Sequence, residues 1–295
     1  MSHTLTISGF STARFATWFF LDEPRLLFDV GDGAAAHLGS KCNRVRHVFL
    51  SHADRDHLGG LIQFYQLSAA GPNPPTFYYP KDSGSFPAVR DFLERFDPNL
   101  PNCNWVPVEG GMRVDVGKHL IVEIGENDHI RTASRGAVAG VRSLDFSLIE
   151  ERRKLRSEFA GLPGVELGRL RAEHGDRHIS EVLERRLFGF SGDTPAFDTE
   201  RWKETEVLLH EATFIAPDEA DRGHSQLQSV LAAASEQELK ALVLTHFSSR
   251  YRHEEICHAI RDVAESLDIR FPVYAVLPGQ VAFDILGQEP VWPGS

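Results

Sequence analysis

The sequence contains little cysteine and no long apolar run, and both absences limit the classes of protein it can encode. Its 295 residues include three cysteines, Cys42, Cys103 and Cys257, which form no CxxC pair. We therefore expect free thiols in a reducing compartment. No run of 18 apolar residues occurs, so no membrane span is expected. The start, MSHTLTISGFSTARF, lacks a basic segment followed by an apolar core, which favours a cytoplasmic protein without a secretion signal.

An excess of positive charge is also missing. Lys and Arg number 31 against 42 Asp and Glu, which gives a formal net charge of −11. A chain of this charge has no overall basic footprint for nucleic acid, so DNA is not an expected partner. A local basic patch or an RNA-processing activity stays compatible with it. The hydrophobic fraction of 42% is ample for a buried core.

Short β-branched, apolar segments recur along the chain and predict strands. They are residues 5–8, 15–21, 25–30, 45–51, 119–126, 186–191, 206–211, 239–246 and 271–276. Helical spacing of apolar residues lies between several of them: Leu58, Leu61, Ile62 and Tyr65 form one such set, and Ile256, Ala259, Ile260 and Val263 form another. Several strands precede the first helices and strand–helix units follow in both halves, which predicts helices packed outside two sheets.

One segment differs in composition from the rest. Residues 150–186 are rich in charge and poor in β-branched residues, and residues 151–186 hold nine Lys or Arg against seven acids, a net charge of +2. We interpret them as an insertion with short helices and a Gly-Pro turn, in which Arg152, Arg153, Lys154 and Arg156 form a solvated helix face. Residues 1–295 are otherwise predicted to be a single domain without tandem repeats.

The stretch SHADRDHLGG, residues 51–60, concentrates four possible metal ligands, His52, Asp54, Asp56 and His57. It follows a predicted strand and leads into a predicted helix. Residues i and i+2 of an extended segment point to the same side, so His52 and Asp54 can share one ion. Asp56 and His57 lie where the chain turns into the helix and can face a second ion. Two ions about 3.5–4 Å apart can activate a water and stabilise an oxyanion.

Further ligands are needed from elsewhere, and three strand ends supply them. His129 follows the strand HLIVEIGE, Asp193 follows RLFGFS, and His246 follows LKALVL. Each alone is typical of an ordinary loop residue, and a polar helix cap would explain part of SHADRDH. The four features together favour a metal site.

These motifs resemble those of the metallo-β-lactamase-fold hydrolases, and among them ribonuclease Z, the tRNA 3′-processing endonuclease. The matching segments are LLFDVGDG, SHADRDHLGG, the lone His129, FSGDT, LLHEATF, GHS and LTHFSSRY, in the family's order over nearly the whole chain. The segment GLPGVELGRLRAEHGD resembles a reduced form of that family's tRNA-gripping arm. The resemblance implies an αββα sandwich, an α/β fold of two mixed β-sheets flanked by helices.

The resemblance also implies roles for individual residues. His52, Asp54 and His129 would hold one ion; Asp56, His57 and His246 would hold a second; and Asp193 would bridge both. Asp29 would orient a ligand. Glu211 and His224 would form an acid–base pair near the leaving group, and Asp56 would be catalytic as well as a ligand. Arg250 and Ser248 would contact a substrate phosphate.

One position departs from the family pattern, because Asp54 stands where the family has a histidine. Aspartate also ligates zinc, but it replaces a neutral imidazole with an anion and makes the site harder. Two divalent ions are therefore expected, with zinc favoured and manganese or iron compatible with Asp54.

The predicted function is a binuclear metal-dependent phosphodiesterase acting on precursor tRNA. One alternative is hydrolysis of small-molecule phosphodiesters or other esters, favoured by the short arm and the acidic surface. A third is a non-catalytic metal- or RNA-binding relative disabled by Asp54, against which the retained Glu211 and His224 argue. A homodimer is expected by resemblance only.

Overall fold

Two β-sheets form the centre of the protein in the computed structural model, which describes residues 5–100, 103–130, 143–216 and 223–295. The first sheet contains β1 (Ile7–Thr12), β2 (Ala16–Leu21), β3 (Leu26–Phe28), β4 (His47–Phe49), β5 (Thr76–Pro80) and β6 (Asn104–Val108), in that spatial order. The second contains β7 (Arg113–Gly117), β8 (Leu120–Asn127), β9 (Ser143–Leu155), β10 (Ser180–Phe190), β11 (Thr205–Glu211), β12 (Ala241–Thr245) and β13 (Val273–Ala275).

Both sheets are mixed in the same way. The first strands of each pair antiparallel, and from β3 to β6 and from β10 to β13 the neighbours pair parallel. Parallel neighbours require crossover connections, and most of the helices supply these. The α-helices of the described residues are α1 (Ala34–Leu38), α2 (Arg55–Leu58), α3 (Leu61–Ala69), α4 (Ser85–Phe96), α5 (Gly164–His174), α6 (Asp176–Ile179), α7 (Leu227–Ser235) and α8 (His253–Ser266).

Three apolar clusters define the layers. Phe28, Phe49, Phe146 and Phe188 belong to a cluster contributed by strands of both sheets, so it lies between them. Because side chains alternate along a strand, the neighbouring residues face outward. Those of the first sheet pack on α1, α3 and α4, and those of the second pack on α7 and α8. The predicted αββα sandwich is confirmed.

The predicted helix around Leu58 and Tyr65 is broken in two. A Cβ at Gly60 would overlap the backbone carbonyl oxygen of Gly31, so the chain must carry glycine where it passes the loop after β3. The backbone amide of Gly60 donates to the carbonyl of Val30 at 2.9 Å. This contact fixes SHADRDH against the first sheet.

The charged segment 150–186 does not form helices at its ends. Arg152, Arg153 and Lys154 lie on β9, where they pair with β10, so the predicted solvated helix face is wrong at these positions. The two strands extend beyond the sheet as a hairpin, with α5 and α6 at its tip. Cross-strand pairing over this length outweighs the helical preference of the charged residues. We call residues 150–186 the arm.

Among the described residues, no helix combines the length and apolar composition that crossing a bilayer requires. The single-domain organisation and the cytoplasmic location stay predictions.

Candidate metal centre

The loop after β4 is held in place by the carboxylate of Asp29, which follows β3. Its Oδ1 accepts the backbone amide of Ser51 at 2.7 Å, and its Oδ2 accepts the Ser51 hydroxyl at 2.7 Å. The same Oδ2 lies 2.7 Å from Nδ1 of His57. Asp29 is fully buried and has a φ of 55°, a left-handed conformation that aspartate adopts more readily than most residues. One carboxylate thus fixes both ends of SHADRDH.

Four buried histidines share one hydrogen-bonding arrangement. The Nδ1 atoms lie close to an acceptor in each case: the Ser51 hydroxyl for His52 at 2.9 Å, Asp29 for His57, the Gly223 carbonyl for His129 at 2.6 Å, and the Thr213 hydroxyl for His246 at 3.0 Å. The Nε2 atoms of the same four rings are buried without a hydrogen-bond partner. Burying a ring nitrogen without a hydrogen-bond partner costs free energy. In a metal-binding histidine the arrangement is usual, because one ring nitrogen binds the metal while the other donates to an acceptor.

The four Nε2 atoms point towards one carboxylate, Asp193, in the loop after β10. Its Oδ2 lies 3.3 Å from Nε2 of both His57 and His246, 3.8 Å from that of His52 and 3.9 Å from that of His129. Asp193 is 3% exposed, so these groups face each other away from bulk water. The predicted bridging residue therefore lies at the centre of the cluster.

The remaining two carboxylates divide the cluster into two halves. Asp54 Oδ2 lies 3.8 Å from Nε2 of both His52 and His129, and we call these three residues the open half. Asp56 Oδ2 lies 3.5 Å from Nε2 of His246 and 4.0 Å from that of His57. We call Asp56, His57 and His246 the closed half. Both trios are close enough to hold a metal ion, and Asp193 contacts both.

The charge of the cluster fits two divalent ions. Asp29, Asp54, Asp56 and Asp193 carry four negative charges when ionised, which two divalent ions would balance. Burial raises the pKa of Asp193, but His246 and His57 beside it hold the pKa well below its usual value. Burial lowers the pKa of His57, yet the carboxylates of Asp193 and Asp29 raise it well above its usual value. The site therefore favours ionised carboxylates and attracts positive charge.

Glu211 and His224 form a hydrogen-bonded pair beside this cluster. Glu211 is the last residue of β11, and its Oε1 lies 3.0 Å from His224 Nδ1. The Glu211 carboxylate also accepts the amides of Thr194 and Thr213 and the Thr213 hydroxyl, so its position is fixed. Burial lowers the pKa of His224, but the hydrogen bond and the charge of Glu211 outweigh it and raise that pKa to about 9. His224 Nδ1 lies 3.9 Å from Asp193 Oδ2, so the pair stands directly beside the cluster.

Comparison with known proteins gives distant relatives over most of the chain. No family model matches. The tRNase Z TRZ1 of Arabidopsis thaliana is 24% identical over 285 residues, covering 92% of this chain and 95% of that protein. Ribonuclease Z of Methanothermobacter thermautotrophicus is 29% identical over 270 residues, covering 82% and 84%.

Solved structures match over nearly the full length. The metallo-beta-lactamase fold protein YhfI from Bacillus subtilis has a TM-score of 0.63 at 12% identity, covering 95% of this chain and 100% of that one. The chain has the metallo-β-lactamase fold. Human tRNase Z, short form, has a TM-score of 0.58 at 18% identity, with coverages of 94% and 98%. The sequence matches make this metallo-β-lactamase-fold protein a distant relative of ribonuclease Z.

The two predicted phosphate-contacting residues lie at the edge of the centre. Arg250 is exposed, and its guanidinium lies over the ring of Phe214 at 5.2 Å and of Tyr251 at 4.9 Å. Phe214 contacts His224 edge-on at 6.4 Å, so Arg250 is held on the His224 side. The amide of Ser248 donates to the Thr213 carbonyl, which fixes the loop after β12.

Two supporting contacts were not predicted from the sequence. The backbone amide of Arg14, in the turn between β1 and β2, donates to Asp56 Oδ2 at 2.9 Å. The Thr213 hydroxyl lies between Glu211 and His246 and hydrogen-bonds to both. A backbone amide leaves no signal in the sequence, whereas Thr213 lies within the LLHEATF motif.

Proposed function

We propose that this chain is a metal-dependent phosphodiesterase that removes 3′ trailers from precursor tRNA. The observation that carries the proposal is the convergence of both ligand halves on Asp193, with the Glu211–His224 pair alongside. The match to tRNase Z and ribonuclease Z sequences over most of the chain supports the choice of substrate.

The ligand set fits zinc, because imidazole and carboxylate are its usual partners together with thiolate. Two divalent ions bound there would activate a water and stabilise negative charge on the phosphate oxygens. The four histidines would use Nε2 for this, since an acceptor lies close to each Nδ1.

Two side chains of this protein would donate the proton and bind the substrate. His224, held by Glu211, would donate a proton to the leaving oxygen, and its raised pKa keeps it protonated near neutral pH. Arg250, oriented by Phe214, would bind a phosphate oxygen of the substrate.

The arm would bring the RNA to this centre. It projects from the second sheet, and most of its residues are exposed. Its net charge of +1, nine basic residues against eight acidic, gives only a modest attraction for phosphates. RNA affinity should therefore be weak and salt-dependent.

The test is cleavage of a 3′-extended precursor tRNA by the purified protein with zinc, with manganese and with a chelator. We expect a metal-dependent cut after the discriminator base, and His224→Ala should cut the same RNA at least about 100-fold more slowly. An uncut RNA together with hydrolysis of bis(p-nitrophenyl) phosphate would reject tRNA and retain the phosphodiesterase.

That second outcome corresponds to the alternative function, hydrolysis of small phosphodiesters. The net charge of −11 and the short arm favour it, because both weaken binding to a polyanion. A non-catalytic metal- or RNA-binding role is less well supported, since it gives the hydrogen-bonded Glu211–His224 pair no function. We also propose a homodimer, which light scattering at micromolar concentration tests; a monomer there would reject it.

A further inference from the structure

The two halves of the centre have the same ligand chemistry but differ in how firmly their ligands are held. We propose that the open half binds its ion more weakly than the closed half, so that the chain holds one ion tightly and exchanges the other. This rests on the metal centre of the proposed function and not on the identity of the substrate.

The difference cannot arise from ligand type. Each half supplies two imidazoles and one carboxylate and shares Asp193 with the other half. The two halves have the same ligand types because residue 54 is aspartate. A histidine at that position would give the open half three imidazoles and no carboxylate of its own. Any difference in affinity must therefore come from burial, anchoring and spacing.

Burial differs most at the two carboxylates. The side chain of Asp54 is 53% exposed, whereas that of Asp56 is 11% exposed. Water competes for an exposed carboxylate and screens its charge, so its attraction for a cation is weaker than that of a buried one. This favours tighter binding in the closed half.

The hydrogen bonds that hold the two carboxylates in place also favour the closed half. Asp56 Oδ2 accepts the backbone amide of Arg14 at 2.9 Å, so the carboxylate is oriented before an ion arrives. No backbone amide of the described ranges, 5–100, 103–130, 143–216 and 223–295, donates to the carboxylate of Asp54. Binding at the open half must therefore also fix a carboxylate that no backbone amide orients beforehand, which opposes it.

The distances between the ligand atoms also favour tighter binding in the closed half. Four ligands at about 2.0–2.2 Å around a tetrahedral zinc ion lie about 3.3–3.6 Å apart. In the closed half, both histidine nitrogens are 3.3 Å from Asp193 and one is 3.5 Å from Asp56, while the remaining distance is 4.0 Å. In the open half, all four corresponding distances are 3.8 or 3.9 Å. The closed half needs less rearrangement to bind zinc.

The experiment is a calorimetric titration of chelator-treated protein with Zn²⁺, with bound metal counted by mass spectrometry after dialysis. The wild type should bind two ions in two steps whose dissociation constants differ at least tenfold. Asp54→Ala should remove the weaker step and keep the tighter one, while Asp56→Ala should weaken the tighter step. Asp91→Ala, at an exposed aspartate on α4, is the control for surface carboxylates and should keep both steps.

Two outcomes would overturn the inference: a single step of two equivalent ions in the wild type, or loss of the tighter step in Asp54→Ala. Because Asp54 is exposed, its variant should fold, so the test stands even where Asp56→Ala does not fold. Complete absence of zinc binding in the wild type would instead reject the metal centre itself. Loss of tRNA cleavage with two-step binding intact would reject only the substrate.

Discussion

Asp29 offers the sharpest test of how the centre is built, through the substitution Asp29→Asn. In the wild type, Oδ1 accepts the amide of Ser51, and Oδ2 lies 2.7 Å from both the Ser51 hydroxyl and His57 Nδ1. When a metal is bound, this carboxylate would keep the one remaining ring proton of His57 on Nδ1, so that Nε2 can be the ligand. The amide of asparagine has the same shape but does not hold the ring proton of His57 on Nδ1.

The orientation of the new amide is set by the backbone. Its oxygen must stay at the Oδ1 position to accept the Ser51 amide, so its NH₂ group faces His57. The imidazole then accepts at Nδ1 and carries its proton on Nε2, the nitrogen that faces Asp193. A comparable loss of the correct tautomer is known from serine proteases with the same acid-to-amide change.

Loss of such an orienting partner usually costs 10- to 100-fold in metal affinity, or about 1.4–2.8 kcal/mol. We expect this loss in the tighter of the two zinc-binding steps, because His57 belongs to the closed half. Zinc affinity is measured by competition with a chromophoric chelator, and the tautomer by NMR of the histidine side chains. The control is Asp32→Asn, an exposed aspartate of the same loop. An unchanged zinc affinity in Asp29→Asn would refute the reasoning.

Three further predictions concern catalysis, packing and metal preference. His224→Ala should lower kcat by about 10²- to 10⁴-fold while both ions stay bound, as a proton donor would require; lost metal would contradict that role. Gly60→Ala should destabilise the protein by about 1–3 kcal/mol in urea unfolding, because its Cβ meets the backbone of the loop after β3, whereas Gly84→Ala has nothing within 4 Å and should be neutral. Asp54→His should raise the zinc affinity of the weaker step and the zinc-dependent rate; unchanged values would show that Asp54 is not a ligand.

The sequence could indicate which residues lie close together in the cluster, because each of them comes just after a strand. His129, Asp193 and His246 each come directly after, or within three residues of, an apolar strand of the second sheet. The end of β4, before SHADRDH, lies next to this edge, where the Leu144 amide donates to the Ser51 carbonyl at 2.9 Å. Residues far apart in the chain therefore meet where the two sheets adjoin.

Strands β5, β6, β7 and β9 were not predicted. In β7 (Arg113–Gly117) the residues alternate between half-buried and exposed, because it is the edge strand of the sheet, and its apolar content is small. The second part of β9 is almost entirely charged and forms a strand only because β10 pairs with it. Local composition cannot reveal a partner that is supplied by a distant segment.

The supporting contacts of the centre could be predicted only in part. The role of Asp29 was implied by a motif, but its left-handed backbone and three hydrogen bonds depend on the packing of the loops after β3 and β4. The difference between Asp54 and Asp56 is also invisible in the sequence. The two residues are two positions apart and identical, and only the fold exposes one and buries the other.

The most direct test of the central claim is anomalous X-ray scattering at the zinc edge from a crystal grown with Zn²⁺. We predict two peaks, one in each half of the centre and both in contact with Asp193, with the lower occupancy in the open half. No peak at Asp193, or zinc bound only elsewhere on the protein, would contradict the account of a binuclear centre.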